Sequence, residues 1–211
     1  YVSTVAPAPL NWEAATSGEH PRVTCKGRGE AGVPKPAGMQ GRVFLGAGAD
    51  PARDVVFSAR DRTDEAVQRI RAVRGPRYRY IRNFIPDHPY LAPHRYKEAR
   101  FPAVPLLRAW QAEGRLSDAQ RTLVADRLPD EELYDTEADP YEIHNLATSR
   151  EPGHQRTLRE MRATLDQWIK ETDDQGRFPE KPAVLEFWRE TYLKMFPVLL
   201  TDPQPAGASR P

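Results

Sequence analysis

The sequence predicts an α+β fold, a small antiparallel sheet packed by C-terminal helices. Three observations carry that prediction. Residues 68–74 and 77–83 are two extended runs meeting at Gly75-Pro76, the pattern of a hairpin. Residues 131–134 form a further short extended run, Glu-Glu-Leu-Tyr. Beyond them, Leu158, Met161, Leu165, Trp168 and Ile169 recur at helical spacing, as do Leu185, Trp188, Tyr192 and Phe196. Strands followed by amphipathic helices bury their apolar faces as one layer on another.

Taken in order, residues 1–5 (Tyr-Val-Ser-Thr-Val) read as the end of a strand. Residues 6–40 are rich in Pro, Gly and Ala, and Pro7, Pro9, Pro21, Pro34 and Pro36 interrupt regular structure there. Residues 54–59 read as a strand. In the arm 77–83, alternation puts Tyr78 and Tyr80 on one face and Arg77, Arg79 and Ile81 on the other. Residues 104–110 begin a helix whose first turn accommodates Pro105. Ser117 caps a second short helix over 117–125. After the strand at 131–134, Asp135 closes an Asx-type turn. Asp139, Pro140 and Glu142 stand at N-cap, N1 and N3 of a capping box, and Asn145 is a second turn residue. The helix 151–172 buries five apolar side chains, worth about 1.5–3 kcal/mol each before entropy. Residues 183–196 form the last helix, and the Pro- and Ala-rich residues from Asp202 form a frayed tail.

The chain has 211 residues, 39% hydrophobic and 29% charged, enough for one domain or one large piece of a bigger protein. A formal net charge of +1 gives no whole-chain argument for nucleic acid or an anionic membrane surface. No stretch is long and apolar enough to span a membrane. One cysteine, Cys25, excludes an internal disulfide but leaves the compartment open. The first residue is not Met, which reads as a truncated product whose targeting sequence, if any, is lost.

The run Glu132-Leu133-Tyr134-Asp135, three residues, then Asp139-Pro140-Tyr141-Glu142-Ile143-His144-Asn145-Leu146 resembles the C-terminal part of sulfatases. Other blocks are similar to the same family. They are Met39-Gln40-Gly41-Arg42-Val43-Phe44-Leu45, then Val56 to Glu65 with Ile70 to Arg74, and Tyr78-Arg79-Tyr80-Ile81-Arg82-Asn83-Phe84; the last two resemble its sulfamidase-like branch. Tyr1 to Val5 looks like a family strand, but Ala6 stands where that family has Asp. From 6 to 37 the pattern dissolves, and either a reading-frame disturbance or a loop insertion accounts for it. The resemblance implies the C-terminal subdomain of an alkaline-phosphatase-like sulfatase fold. It divides the chain into an irregular remnant of the catalytic domain (1–38), the subdomain (39–200) and a disordered tail (201–211).

Sulfatases of this kind hydrolyse sulfate esters or sulfamates. They use a formylglycine made within a Cys/Ser-x-Pro-x-Arg motif and a calcium ion held by Asp and Asn. The resemblance places both on an N-terminal catalytic domain outside this chain, so no catalytic or metal residue is assigned here and the chain alone is expected to be inactive. Cys25 fails as nucleophile, since Cys25-Lys26-Gly27-Arg28-Gly29 has neither Pro at +2 nor Arg at +4. The expected partners are that catalytic domain and a sulfated small molecule or sugar. The resemblance also sets the segment around Arg60, Asp61, Asp64 and Glu65, with Arg71, near the mouth of the substrate pocket. Forked Arg donors suit sulfate, and carboxylates suit sugar hydroxyls. The alternative is a solvated loop of internal Arg–Asp pairs. His88 and His94 read as surface loop histidines and His144 as a local hydrogen-bonding residue.

A second reading is a binding module for nucleic acid or another polyanion. Residues 50–100 hold twelve Arg or Lys against seven acids, and Tyr78, Tyr80 and Phe84 interleave with Arg on the hairpin. The interspersed acids and the lack of any RNA-binding signature weigh against it.

Overall fold

The computed structural model describes residues 42–43 and 49–197. The expectations for residues 1–5, 6–40 and the tail from Asp202, and the thiol of Cys25, fall outside them. The chain divides into two compact units, and the larger begins at Phe57. In the other unit, Asp50 and Val43 close a loop: the Asp50 N–H donates to the Val43 carbonyl at 2.7 Å, and the Val43 N–H donates to the Asp50 carboxylate at 2.8 Å.

Four strands form one sheet in the order β1 (Val56–Thr63), β2 (Ala66–Arg74), β3 (Tyr78–Asn83), β4 (Glu131–Asp135). The pairs β2–β3 and β3–β4 are antiparallel. The first strand runs four residues beyond the expected 54–59, so most of the candidate segment is strand rather than loop. The hairpin at Gly75-Pro76 forms as expected, with the Gly75 N–H donating to the Tyr78 carbonyl.

Val73 stands opposite Tyr80, and Tyr80 opposite Leu133. All three are 0% exposed, and this cross-strand row is the centre of the core. Helix α4 (Pro152–Glu171) lies across that face of β2 and β3, burying Leu158, Met161, Leu165 and Ile169. Its Arg162 pairs with Glu131 and its Asp166 with Arg82, both on the same face as Tyr80. Trp168 stacks on Phe57 with ring centroids 5.1 Å apart.

Between β3 and β4 come α1 (Arg95–Arg100), α2 (Ala103–Ala112) and α3 (Asp118–Val124). Ser117 caps α3, as expected, and Gln120 completes a capping box with it. After α4, a short 3-10 turn (Gln175–Arg177) leads to α5 (Pro182–Met195), which packs on α1. The described residues contain no helix long and apolar enough to cross a membrane.

The motif after β4 folds differently from expectation. Asp135 does accept from the Glu137 and Ala138 N–H groups, an Asx turn. Asp139, however, caps no helix: its carboxylate accepts from Ile143 and His144 N–H at 2.7 Å each. Glu142 takes a left-handed φ of 55°, which breaks the helical path, and its carboxylate turns to Arg79 and Arg74. Asn145 does the larger job. Its Oδ1 accepts from the Leu133 and Ala147 N–H groups, and its Nδ2 donates to the Glu131 carbonyl.

Candidate functional site

The β1–β2 hairpin carries all five candidate residues. Its two-residue link is Asp64-Glu65, where Asp64 adopts a φ of 52°, a conformation Asp tolerates better than most non-glycine residues. Around this turn gather α1, α5 and the segment that follows α4.

Arg71 is the most enclosed of the five, 0% exposed on β2. Its Nε and Nη2 donate to the two oxygens of Asp174 at 2.7 and 2.9 Å. Its Nη1 lies 2.7 Å from Asp61 Oδ1. Burial works against the guanidinium charge, and the bonds to Asp174 and Asp61 more than offset it. Asp174 reaches this place because α4 ends in a left-handed residue, Asp173 (φ 44°), with the Asp174 N–H donating back to Ile169. A side chain at Gly176 would collide with the Arg71 guanidinium and the Asp61 carboxylate, so glycine is what lets the 3-10 turn lie against the pair.

Glu65 is also buried. Its carboxylate accepts the Arg95 backbone N–H at 2.7 Å and pairs with the Arg95 guanidinium. The Asp64 carboxylate lies 3.1 Å from His94 Nε2 and accepts from it in the Nε2–H tautomer, and it lies beside Tyr192, whose ionisation burial and that carboxylate push upward. His94 is therefore not a surface residue: it is 1% exposed, edge-on to Tyr192 at 5.5 Å. Burial, then the charge of Lys97, holds its pKa below 6.5 against the pull of Asp64. His88 is half-buried with Nδ1 3.0 Å from the Val67 carbonyl, and His144 stays exposed beside Asp139.

Arg60 differs from its neighbours. Its guanidinium sits 5.5 Å over the Tyr90 ring, and its Nε is buried with no hydrogen-bond partner. Arg62 next to it is occupied by Glu180 at 2.8 Å and by the Trp188 ring at 4.9 Å. The hairpin thus presents Arg60, Asp61 and Asp64 half-exposed, with Glu65 and Arg71 beneath them.

Local sequence does not mark Asp174 or Lys97 as neighbours of the hairpin, and Tyr192 reads only as an apolar position of its helix. Arg95-Tyr96-Lys97 follows Pro89 and Pro93, which hide the short helix α1, and Asp174 lies 103 positions from the arginine it holds. Among the described residues no three His, Cys, Asp or Glu side chains are grouped as metal ligands.

The polyanion reading loses its basis here. Tyr80 is fully buried, and Arg77, Arg79 and Arg82 each pair with a carboxylate, Asp135, Glu142 and Asp166.

The described residues thus form a four-stranded antiparallel sheet crossed by one long helix, with the Glu132–Leu146 motif starting on its edge strand. In sequence the chain is 39% identical over 150 residues to an ulvan-active sulfatase of Formosa agariphila, covering 71% of this chain and 25% of that protein. The chain is similar in sequence to this sulfatase and spans about a quarter of its length. No protein-family model matches it. Similar solved structures include a 2-O GAG sulfatase (TM-score 0.46, 23% identity, 76% of this chain and 27% of that one). Another is a protein in complex with its substrate D-glucosamine-2-N,6-O-disulfate (TM-score 0.44, 17% identity, 74% and 24%).

Proposed function

We propose that this chain is the C-terminal part of a sulfuric ester hydrolase acting on sulfate esters or sulfamates of a sugar. In this reading the β1–β2 hairpin forms part of the substrate pocket, and the reacting centre lies on sequence outside the chain. The observation that carries it is the 39% identity to a sulfatase over 150 residues.

Within the pocket, Arg60, Asp61 and Asp64 are the groups that meet substrate. Arg71 and Glu65 act beneath them. With both its forks occupied, Arg71 fixes the position of Asp61, and Glu65 fixes the turn through Arg95. The buried ion pairs of Arg71 and Glu65 stiffen the wall from beneath, which holds a sugar in one pose. The formylglycine and calcium of the family belong, in this proposal, to the catalytic domain. Among the described residues no three His, Cys, Asp or Glu side chains group as ligands for the ion.

The test is sulfate release from an aryl sulfate and from sulfated sugars, measured for the 211-residue chain and for the full-length parent. The expected result is release by the parent and none above background by the chain. Release by the chain alone, or a parent without a Cys/Ser-x-Pro-x-Arg motif, overturns the proposal.

A further inference from the structure

We propose that one line of helix α5, Phe187, Thr191 and Met195, continued by Tyr96 and Phe101 beside it, is the surface on which the rest of the parent protein packs. This inference rests on the reading of the chain as the C-terminal part of a longer sulfatase, and it assigns the face that joins the two.

Helix α5 is 14 residues long and buries none of them. A helix of that length is marginal in water by itself and draws its stability from an apolar face packed on something else. Part of such a face is used. The Trp188 ring lies 4.9 Å under the Arg62 guanidinium, Tyr192 meets the His94 ring at 5.5 Å, and Phe196 meets Tyr96 at 5.3 Å. The adjoining line stands open to water. Phe187, Thr191 and Met195 are each four positions apart, so they lie one above the other along the helix. Phe187 and Met195 are 61% and 59% exposed. The Thr191 hydroxyl donates to the Phe187 carbonyl at 2.7 Å, so the polar side-chain atom on this line is already satisfied. Past the end of the helix the apolar surface continues, with Tyr96 edge-on to Phe101 at 5.7 Å and both rings exposed. Single apolar side chains on a surface are ordinary, whereas a contiguous strip marks an interface.

The charges define the partner. The charged residues of α5 are two acids and two bases, and they pair along the helix, Glu186 with Arg189 and Glu190 with Lys194. The strip therefore offers no surplus charge to a polyanion or to an anionic lipid surface, for which an interfacial helix carries a cationic face. It fits an apolar, uncharged protein surface. The chain spans about a quarter of its relative's length, and the pocket proposed above takes its reacting centre from sequence outside the chain. Arg62 of the β1–β2 hairpin lies on Trp188, so a domain that completes the pocket at the hairpin also lies alongside α5. As part of the same polypeptide it meets the strip at high effective concentration, which a second copy does not.

Methionine oxidation tests this. The full-length parent and the 211-residue chain are treated with dilute hydrogen peroxide, and oxidation of Met195 and Met161 is followed by peptide mass spectrometry. Met161, buried on α4, reports that the core is folded. Met195 is expected to oxidise at least about tenfold more slowly in the parent than in the chain, approaching the rate of Met161. Phe187→Glu in the parent puts a charge on the strip and is expected to restore most of the Met195 rate while Met161 stays protected. That comparison needs no folding of the chain alone. Rapid Met195 oxidation in the parent overturns the inference. So does protection that survives Phe187→Glu, or equal protection in the folded chain, which sedimentation traces to a second copy. Protection of Met195 in a parent that releases no sulfate removes the enzymatic reading alone. An active parent with Met195 open removes the docking surface alone.

Discussion

Arg71 and Asp174 meet in a two-pronged ion pair, 2.7 and 2.9 Å, across 103 positions of chain. The arginine comes from the middle strand β2 and the aspartate from the residue pair that ends α4. The bond therefore fastens the sheet to the segment leading into α5. Breaking a buried pair by removing one partner leaves the other charge uncompensated, at about 3–5 kcal/mol. Arg71→Met and Asp174→Asn are each expected to lower the unfolding free energy, read from urea denaturation, by an amount in that range. Arg62→Gln, which removes a more exposed pair, is expected to cost under about 1 kcal/mol. Equal effects from all three would show that the buried pair has no special weight.

Gly176 lies against the same pair. Its substitution by alanine places a methyl group where the Arg71 guanidinium and Asp61 carboxylate already stand. Neither can withdraw freely, since Arg71 is held on both forks. Gly176→Ala is expected to destabilise by about 1–3 kcal/mol, the usual range for overpacking. Gly153→Ala, where a Cβ meets an ordinary contact at 3.5 Å, is the control and is expected to be near neutral. Thermal unfolding of the two variants decides this.

Two acid transitions are expected in separate windows. His94 is held neutral by burial and by Lys97, so its folded pKa lies below 6.5. Between that folded value and 6.5 the unfolded state binds more protons, and stability falls as the pH drops below 6.5. His94→Phe is expected to flatten this limb of the pH–stability curve, and the NMR titration of His94 is expected to centre below 6.5. The second window is lower. Asp174 is depressed by Arg71, Asp135 by Arg77 and Glu131 by Arg162, each named for its largest cause. Their contribution is complete above the ordinary carboxylate range and is lost as the pH falls through the depressed folded values. A melting temperature independent of pH between 7 and 5 would count against the His94 assignment.

Asn145 supplies three hydrogen bonds to backbone groups of β4 and the following loop. Asn145→Ala strands buried donors and acceptors, at about 1–3 kcal/mol for each unsatisfied group. Amide hydrogen exchange at Leu133 is expected to quicken in the variant more than exchange at Val73. Unchanged protection at Leu133 would mean that water or Leu146 replaces the asparagine.

What the sequence disclosed is what short-range chemistry determines. Gly75-Pro76 marked the hairpin, Ser117 marked the start of α3, and the spacing from Leu158 to Ile169 marked α4. Each signal is written within one turn or one helical face. The Asp139-Pro140-x-Glu142 capping box was read by the same local rule and failed. Tertiary partners won there: Arg79 and Arg74 draw Glu142 away, and Ile143 and His144 take the Asp139 carboxylate. The hairpin residues Arg60 to Glu65 were legible as a polar cluster with its neighbours unknown. Arg71 appeared as one more arginine, because its burial depends on Asp174. His94 read as a loop histidine, because only the fold brings Asp64 and Tyr192 around it.

The sheet ends at β4, and a terminal strand ordinarily leaves a row of amides and carbonyls that another chain can copy. Here that row is already spoken for. The Leu133 N–H is taken by Asn145, the Leu133 carbonyl by the Leu146 N–H and the Glu131 carbonyl by the Asn145 amide. A foreign strand approaching this side finds a side chain imitating its own backbone. The other terminal strand, β1, carries Arg60, Asp61 and Arg62 along its length, charges that resist a flat partner. The sheet is thereby closed to growth on one side by mimicry and guarded on the other by charge, two defences against fibrous self-association built into four strands.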